Sequence, residues 1–305
     1  MDLSICIVNW CTGDFLKNCV ESILNLSTKI QYEIILVDNH SSDNSFEIVK
    51  ESYKENEKII FLGQSENLGF AAGNNLALEH SRGRYVVLLN PDTVVHAGAL
   101  DHAIAFLDDH LNCGILGPKL LNPDNTLQPS VRSFPSVKTA LIQAFPFLKN
   151  VGFNDDINYE ILQYVDQPSG ACLFVRREAI EEVGGLDEQF FMYYEEVDWC
   201  FRIAKVGWEI IYNPKILITH FGGQSSIKNL DVRIVHNNKS KIRYFKKHFE
   251  GKYVYLSIIR LLTIINLLLR LLSLPLFLAS RKHSWLQTKE AFFMYKRALK
   301  LTFVS

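Results

Sequence analysis

The first 120 residues alternate short β-branched runs with helix-forming stretches, and that alternation limits the fold more than any other feature. Residues 3–8 (LSICIV), 33–38 (EIILVD), 58–63 (KIIFLG) and 84–90 (RYVVLLN) are apolar runs of strand length. Between them lie helical stretches from Asp14, from Asp43 and across 70–81. Strands separated by helices at this spacing predict an α/β fold in which a mostly parallel sheet is sandwiched by helices. Ligands of such sheets gather at the carboxyl ends of the strands. The polar residues placed there are Asn9, Asp38 with Asn39, Asn67 with Gly69, and Asn90 with Asp92. A GxGxxG after the first strand and a GxxxxGK[ST] are both missing, which argues against a dinucleotide dehydrogenase and a P-loop phosphotransferase.

From about residue 118 the alternation becomes irregular. Pro118, Pro123, Pro129, Pro135 and Pro146 punctuate a stretch that predicts loops and short strands. Order returns with the apolar run 171–175 (ACLFV), a helix over 176–183, the Gly184-Gly185 break, and a helix over 195–206 that Gly207 stops. A catalytic domain over 1–227, divided at about 117, with a separate segment over 228–305, is the organisation this predicts.

Charge separates the same two parts. Residues 1–227 carry 16 Lys+Arg against 30 Asp+Glu, a net of −14, whereas 228–305 carry 16 against 3, a net of +13. A basic segment that is also rich in Leu and Ile suits an anionic membrane surface better than nucleic acid. Within it, residues 252–281 are apolar enough to enter lipid, but Arg260 and Arg270 interrupt any simple span. At about 100° per residue, Lys252, Arg260, Thr263, Asn266, Arg270, Ser273 and Arg281 fall in a stripe of roughly 140°, which predicts an amphipathic helix lying in the interface. Pro275 should kink or break it. A core or homo-oligomer-facing helix is the alternative. The six cysteines show no CxxC spacing, and the N-terminus has no basic, apolar leader, so a reducing, cytoplasmic setting is expected.

Three groups of residues can carry chemistry. Asp92 in LLNPDT (88–93) follows an apolar strand and stands where a diphosphate and a hard divalent cation would lie, although Asn-Pro-Asp is also an ordinary turn. Asp38 ends its strand, where a carboxylate can accept a hydrogen bond from a uracil or thymine imide; the following 39–43 can also cap the next helix through Ser42 or Asp43. The small residues of NLGFAAGNN (67–75) let the backbone come close to a ligand, although Gly73 and the alanines equally suit tight helix–sheet packing. Glu195, Glu196 and Asp198 offer a general base, or simply fill the first turn of a helix, as Asp198 with Arg202 at i,i+4 does. His220, at the end of KILITH, is by itself more often structural than a ligand.

Taken together, IVNW (7–10), VDNHSSDNS (37–45), NLGFAAGNN (67–75), LLNPDT (88–93), 169–202 and THFGGQS (219–225) resemble glycosyltransferase family 2, particularly its rhamnosyltransferase-like branch. The order and spacing extend over about 225 residues and are far more specific than any one piece. The resemblance implies a GT-A fold, a nucleotide-diphospho-sugar donor, Mg²⁺ or Mn²⁺, and inversion at the anomeric carbon. It makes Asp38 the base-recognition residue, places Val8, Asn9, Asn67, Gly69 and Asn90 at the nucleotide-sugar, gives Asp92 and His220 to the metal, and makes Glu196 the base, with Glu195 and then Asp198 behind it. Asn90 replaces the first acidic residue of the family's Asp-x-Asp motif, Glu196 replaces an Asp, and Ala77 stands where many members have Gly. The implied activity is transfer of a sugar, L-rhamnose from dTDP-rhamnose in this branch, to a glycan or a polyprenyl-diphosphate-linked acceptor of cell-surface polysaccharide synthesis. It implies a protein peripheral on the inner face of the cell membrane. A galactofuranosyl or other hexosyl donor, or a catalytically silent module of the same fold, remains open.

Overall fold

A computed structural model describes residues 1–145, 148, 157–222, 230–279 and 285–304. Pro146, Gly223 to Ser225 of the THFGGQS motif, and Arg281 lie outside the described residues. The chain runs through β1 (Leu3–Asn9), α1 (Asp14–Leu24), β2 (Tyr32–Asp38), α2 (Ser45–Tyr53), β3 (Ile59–Gly63), α3 (Gly69–His80), β4 (Tyr85–Leu89), β5 (Thr93–Val95), α4 (Ala99–Asp109) and β6 (Cys113–Leu121). It continues through β7 (Leu127–Gln128), β8 (Val131–Arg132), α5 (Val137–Ala144), β9 (Gln163–Tyr164), β10 (Gln167–Pro168), β11 (Cys172–Arg176), α6 (Arg177–Val183), α7 (Glu195–Lys205) and β12 (Glu209–His220). Three helices close it: α8 (Leu230–His248), α9 (Tyr253–Ala279) and α10 (Trp285–Val304).

Two compact units divide the chain, one of residues 1–133, 157–191 and 195–225, the other of 134–156, 192–194 and 226–305. The first is built on a ten-stranded sheet with the path β3-β2-β1-β4-β11-β6-β12-β5. Strands β3, β2, β1 and β4 are mutually parallel, as are β6 and β12, while β11 runs antiparallel between β4 and β6 and β5 runs antiparallel to β12. The alternating pleat explains the layers. Leu3, Ile5 and Ile7 of β1 share a core with Leu16, Cys19 and Val20 of α1 and with Leu100 and Ile104 of α4. On the opposite face Val8 meets α3 so closely that a Cβ on Gly73 would lie 2.8 Å from its Cγ1, and a Cβ on Gly114 of β6 would lie 3.0 Å from Ile203 of α7. Small residues at both points let helix and sheet approach.

Several boundaries differ from the sequence expectation. The second helix begins at Ser45 with Asn44 before it, and Asp43, one residue further out, supplies the acceptor for its first N–H. The Asp43 carboxylate accepts the Ser45 N–H at 3.1 Å and the Gly13 N–H at 3.0 Å, tying the start of α2 to the loop after β1. Pro275 does not divide the tail helix, because α9 continues through it for its last turn.

The second unit packs α9 and α10 against α8. Leu267 and Ala298 bury Val235, and Leu274 sits with Ala291 and Met294.

Candidate active site

The site assembles where β1, β2, β4 and β12 end. Asn9 and Asp38 are register partners on the last residues of β1 and β2. Asn9 is fully buried, and its Nδ2 donates to Asp38 Oδ1 at 2.9 Å and to the Ser41 and Ser45 hydroxyls at 3.0 and 2.9 Å. Its Oδ1 accepts the Thr12 hydroxyl. Both ends of the amide are therefore committed to protein, and Asn9 acts by aiming Asp38. Ser41 completes the clamp: its hydroxyl donates to Asp38 Oδ1 at 2.6 Å and its N–H to Oδ2 at 2.9 Å. Cys11 and His40, just past the two strand ends, adopt φ of 53° and 60°. Left-handed backbone is uncommon for such residues and turns the chain sharply at the pocket.

Asn39 ties the next loop to this edge. Its Nδ2 donates to Asn67 Oδ1 at 3.0 Å and to the Gly69 carbonyl at 2.9 Å, while its Oδ1 accepts the Leu68 N–H at 3.0 Å. Asn67 Oδ1 also accepts the Gly69 N–H, so the residue braces the start of α3. Gly69 has φ +90°, and a Cβ there would stand 2.5 Å from the Phe191 carbonyl oxygen. Its smallness is thus spent on Phe191, as that of Gly73 is on Val8. The Val8 side chain is packed on α3.

Asn90, Asp92 and His220 meet at the other end of this strand-end edge. Strand β5 pairs with β12 so that Thr93 opposes His220, and the Asp92 carbonyl accepts the Phe221 N–H at 2.9 Å. His220 Nε2 lies 3.4 Å from Asp92 Oδ1 and 3.5 Å from Asn90 Nδ2. The ring's other nitrogen, Nδ1, is 2.7 Å from Gln128 Oε1. Gln128 is itself oriented, because its Nε2 donates to Asn122 Oδ1 and to the His220 carbonyl, each at 3.0 Å. With Oε1 as the acceptor, Nδ1 carries a proton, and the ring is held with Nε2 directed at Asp92 and Asn90. Gln128, on a two-residue strand 92 residues before its partner, carried no sequence signal.

The three acidic residues of α7 separate by environment. Asp198 is fully buried and accepts Arg202 Nε at 2.8 Å, while Arg202 also donates to the Val183 and Gly185 carbonyls at 2.7 and 2.6 Å. That arrangement anchors the Gly184-Gly185 break to the helix and gives Asp198 a structural role. Glu195 is buried, its Oε2 has no hydrogen-bond partner among the described residues, and desolvation followed by the neighbouring Glu196 charge pushes its carboxyl well above the ordinary range. Glu196 is only half-buried and packs on the segment before β11, where a Cβ on Gly170 would lie 3.2 Å from its Cγ. The same segment accepts the Asn90 N–H through the Ala171 carbonyl at 2.9 Å. One short loop thus connects the Asn90–Asp92–His220 group to Glu196.

Among the described residues no three His, Cys, Asp or Glu side chains converge as a closed metal cage. One carboxylate and one imidazole, with phosphate oxygens completing the shell, is a donor set that Mg²⁺ and Mn²⁺ accept.

A mixed sheet with this polar edge is the architecture of GT-A glycosyltransferases, and the family model "Glycosyl transferase family 2" matches residues 4–184. The chain belongs to that family and is a glycosyltransferase. It is 28% identical over 264 residues, 82% of this chain and 85% of the relative, to the N-acetylglucosaminyl-diphospho-decaprenol L-rhamnosyltransferase of Mycobacterium tuberculosis. It is 27% identical to the low-salt glycan biosynthesis hexosyltransferase Agl10 of Haloferax volcanii, over 67% of this chain and 62% of that one. Among solved structures, the mannosyltransferase PcManGT from Pyrobaculum calidifontis, in complex with GDP-Man and Mn²⁺, shares the fold with a TM-score of 0.58 at 15% identity, covering 99% of this chain and 75% of that one. S. aureus TarS gives 0.55 at 17% identity, over 83% of this chain and 44% of its own.

Proposed function

We propose that the protein is an inverting, metal-dependent rhamnosyltransferase that moves L-rhamnose from dTDP-rhamnose to a polyprenyl-diphosphate-linked glycan at the inner face of the cell membrane. The observation that carries it is the Asn90–Asp92–His220 group, with His220 Nε2 turned to 3.4 Å from Asp92 Oδ1 by Gln128. Rhamnose and the lipid-linked acceptor are supported by the mycobacterial relative, similar over most of both chains.

In this reading Asp38, with both oxygens already oriented by Asn9 and Ser41, accepts the thymine imide N–H. The loop from Asn67 to Gly69, held by Asn39, forms the side of the base pocket. Asp92 and His220 hold the divalent cation, and Asn90 is left to hydrogen-bond the donor. A bound Mg²⁺ or Mn²⁺ supplies positive charge against the departing diphosphate. The acceptor hydroxyl oxygen attacks the anomeric carbon from the face opposite the diphosphate, the C–O bond to that diphosphate breaks, and Glu196 takes the hydroxyl proton. Burial and the neighbouring Glu196 charge push the Glu195 carboxyl well above its ordinary range, which makes Glu195 the poorer proton acceptor of the two.

The test is hydrolysis or transfer across a panel of nucleotide-sugars, with and without Mg²⁺ and Mn²⁺. Turnover of dTDP-rhamnose that requires the metal is the expected result. Preference for a UDP-hexose would replace the donor assignment, and no turnover of any donor would leave a silent module.

A further inference from the structure

In the second unit, α9 is turned the opposite way from an ordinary surface helix. The middle of its polar stripe meets protein: Thr263 is buried and Asn266 Nδ2 donates to the Gln143 carbonyl of α5, while the exposed Arg270 donates its Nε–H to Asn266 Oδ1 at 3.1 Å. The Tyr255 hydroxyl accepts the Val137 N–H at 3.2 Å at the start of α5. The outward face is apolar. Val254, Ile258, Leu261, Leu268 and Leu272 recur at i, i+4, i+7, i+14 and i+18, and Val254, Leu261 and Leu272 are 76%, 57% and 73% exposed. At 100° per residue they lie within an arc of roughly 80° that no charged residue enters. An exposed row of this length marks an interaction surface rather than scattered surface leucines.

Helix α10 tells what covers it. Ala291, Met294 and Ala298 are buried, while the opposite face exposes Lys289, Phe292, Phe293, Lys296, Arg297 and Lys300. Aromatic rings framed by cations match the depth of lipid headgroups, with the rings at the acyl boundary and the cations on phosphate. Residues 228–305 hold 3 Asp+Glu against 16 Lys+Arg, so a second copy of the same unit would be repelled where an anionic bilayer is attracted. We propose that this unit is a membrane-docking surface: the apolar row of α9 and the Phe292–Phe293 pair enter the outer layer of an anionic bilayer, and the α10 cations contact its headgroup phosphates. The stretch Tyr253–Pro275 is long and apolar enough to cross a bilayer. The Asn266 and Tyr255 hydrogen bonds to the α5 backbone tie the helix to its own unit instead. The inference stands on this packing and not on the identity of donor or acceptor.

The experiment is flotation of the full chain with vesicles of phosphatidylcholine alone and of phosphatidylcholine mixed with phosphatidylglycerol, followed by carbonate extraction. The wild type should float with the anionic vesicles and be released by carbonate. Leu261→Asp with Leu268→Asp and Leu272→Asp should lower the bound fraction at least about tenfold, and Lys296→Glu with Lys300→Glu should lower it on the anionic vesicles. Donor hydrolysis and melting temperature should be unchanged in both. Phe292→Ser with Phe293→Ser supplies the same readout on α10 should the aspartates disturb α9. Failure of the wild type to float with either vesicle, or resistance to carbonate, overturns the proposal. So does a homodimer in sedimentation that the aspartates dissociate without any vesicle binding.

Discussion

At the scale of single residues, the Glu195–Glu196 pair shows why adjacent carboxylates in one helical turn do different work. Glu195 is buried with one oxygen unpartnered, so ionising it would leave an uncompensated charge beside Glu196. Its raised carboxyl means that the fold holds this proton more tightly than the unfolded chain does. That contribution to stability is complete below the ordinary glutamate pKa of about 4.3 and is lost as pH climbs through the raised value. The melting temperature of wild type minus that of Glu195→Gln should therefore fall as pH rises from about 5 to 8. A flat difference would mean that Glu195 is ionised. Glu196→Gln should reduce turnover at least about a hundredfold with little change in donor affinity, and Glu195→Gln should do less. Equal, modest losses in both would reduce the pair to a helix start. At the other end of the pocket, Asp92→Ala should abolish transfer. Gln128→Leu should raise the metal concentration needed for half-maximal rate by about ten- to a hundredfold while saturating metal restores much of the rate, as for loss of a group that orients a ligand. Asp92 and His220 could be singled out from their places after apolar strands. Gln128 could not, because its role exists only once β7 pairs with β6 and brings its amide to His220.

At the scale of elements, what the sequence revealed follows the length of the apolar runs. Strands β1 to β4 are five to seven residues long with helices between them, and their places were readable within a residue or two. Strands β7 to β10 have two residues each, too few to show a period. Nor does any local pattern tell that β11 inserts antiparallel between β4 and β6, since that pairing joins residues more than eighty positions apart. The glycines of NLGFAAGNN were ambiguous for a similar reason. Packing and ligand approach both require a missing side chain, and only the neighbour decides between them. For Gly69 the neighbour is Phe191, so Gly69→Ala meets a backbone oxygen in a conformation that L side chains rarely adopt. The substitution should cost about 1–3 kcal/mol and loosen nucleotide binding by shifting the Asn67 loop, measured by thermal melting and titration of dTDP. An unchanged melting temperature would show that this approach is not a constraint.

At the scale of the whole molecule, the charge division near residue 227 falls beside the start of the last segment of the second unit, at Ser226, but that unit is not built from the tail alone. Its elements include α5, which lies in the sequence between parts of the catalytic unit. A basic, apolar tail suggests a detachable anchor, yet the packing argues otherwise. Leu267 and Ala298 cover Val235 of α8, Leu274 is enclosed with Ala291 and Met294, and Asn266 binds the α5 backbone. Removing α9 and α10 would return side chains of α8 such as Val235 to water, at about 1.5–3 kcal/mol for a fully buried large aliphatic residue, and leave the Gln143 carbonyl of α5 without its Asn266 donor. A chain cut after Gly251 should therefore aggregate, in contrast to the full chain bearing aspartates on the outer row of α9, which should stay soluble and hydrolyse donor. Size-exclusion chromatography of the two side by side is the measurement. A truncated chain that remains monomeric and keeps donor hydrolysis would show that α8 does not need α9 and α10. The polar stripe of α9 would then be free to face water instead of protein.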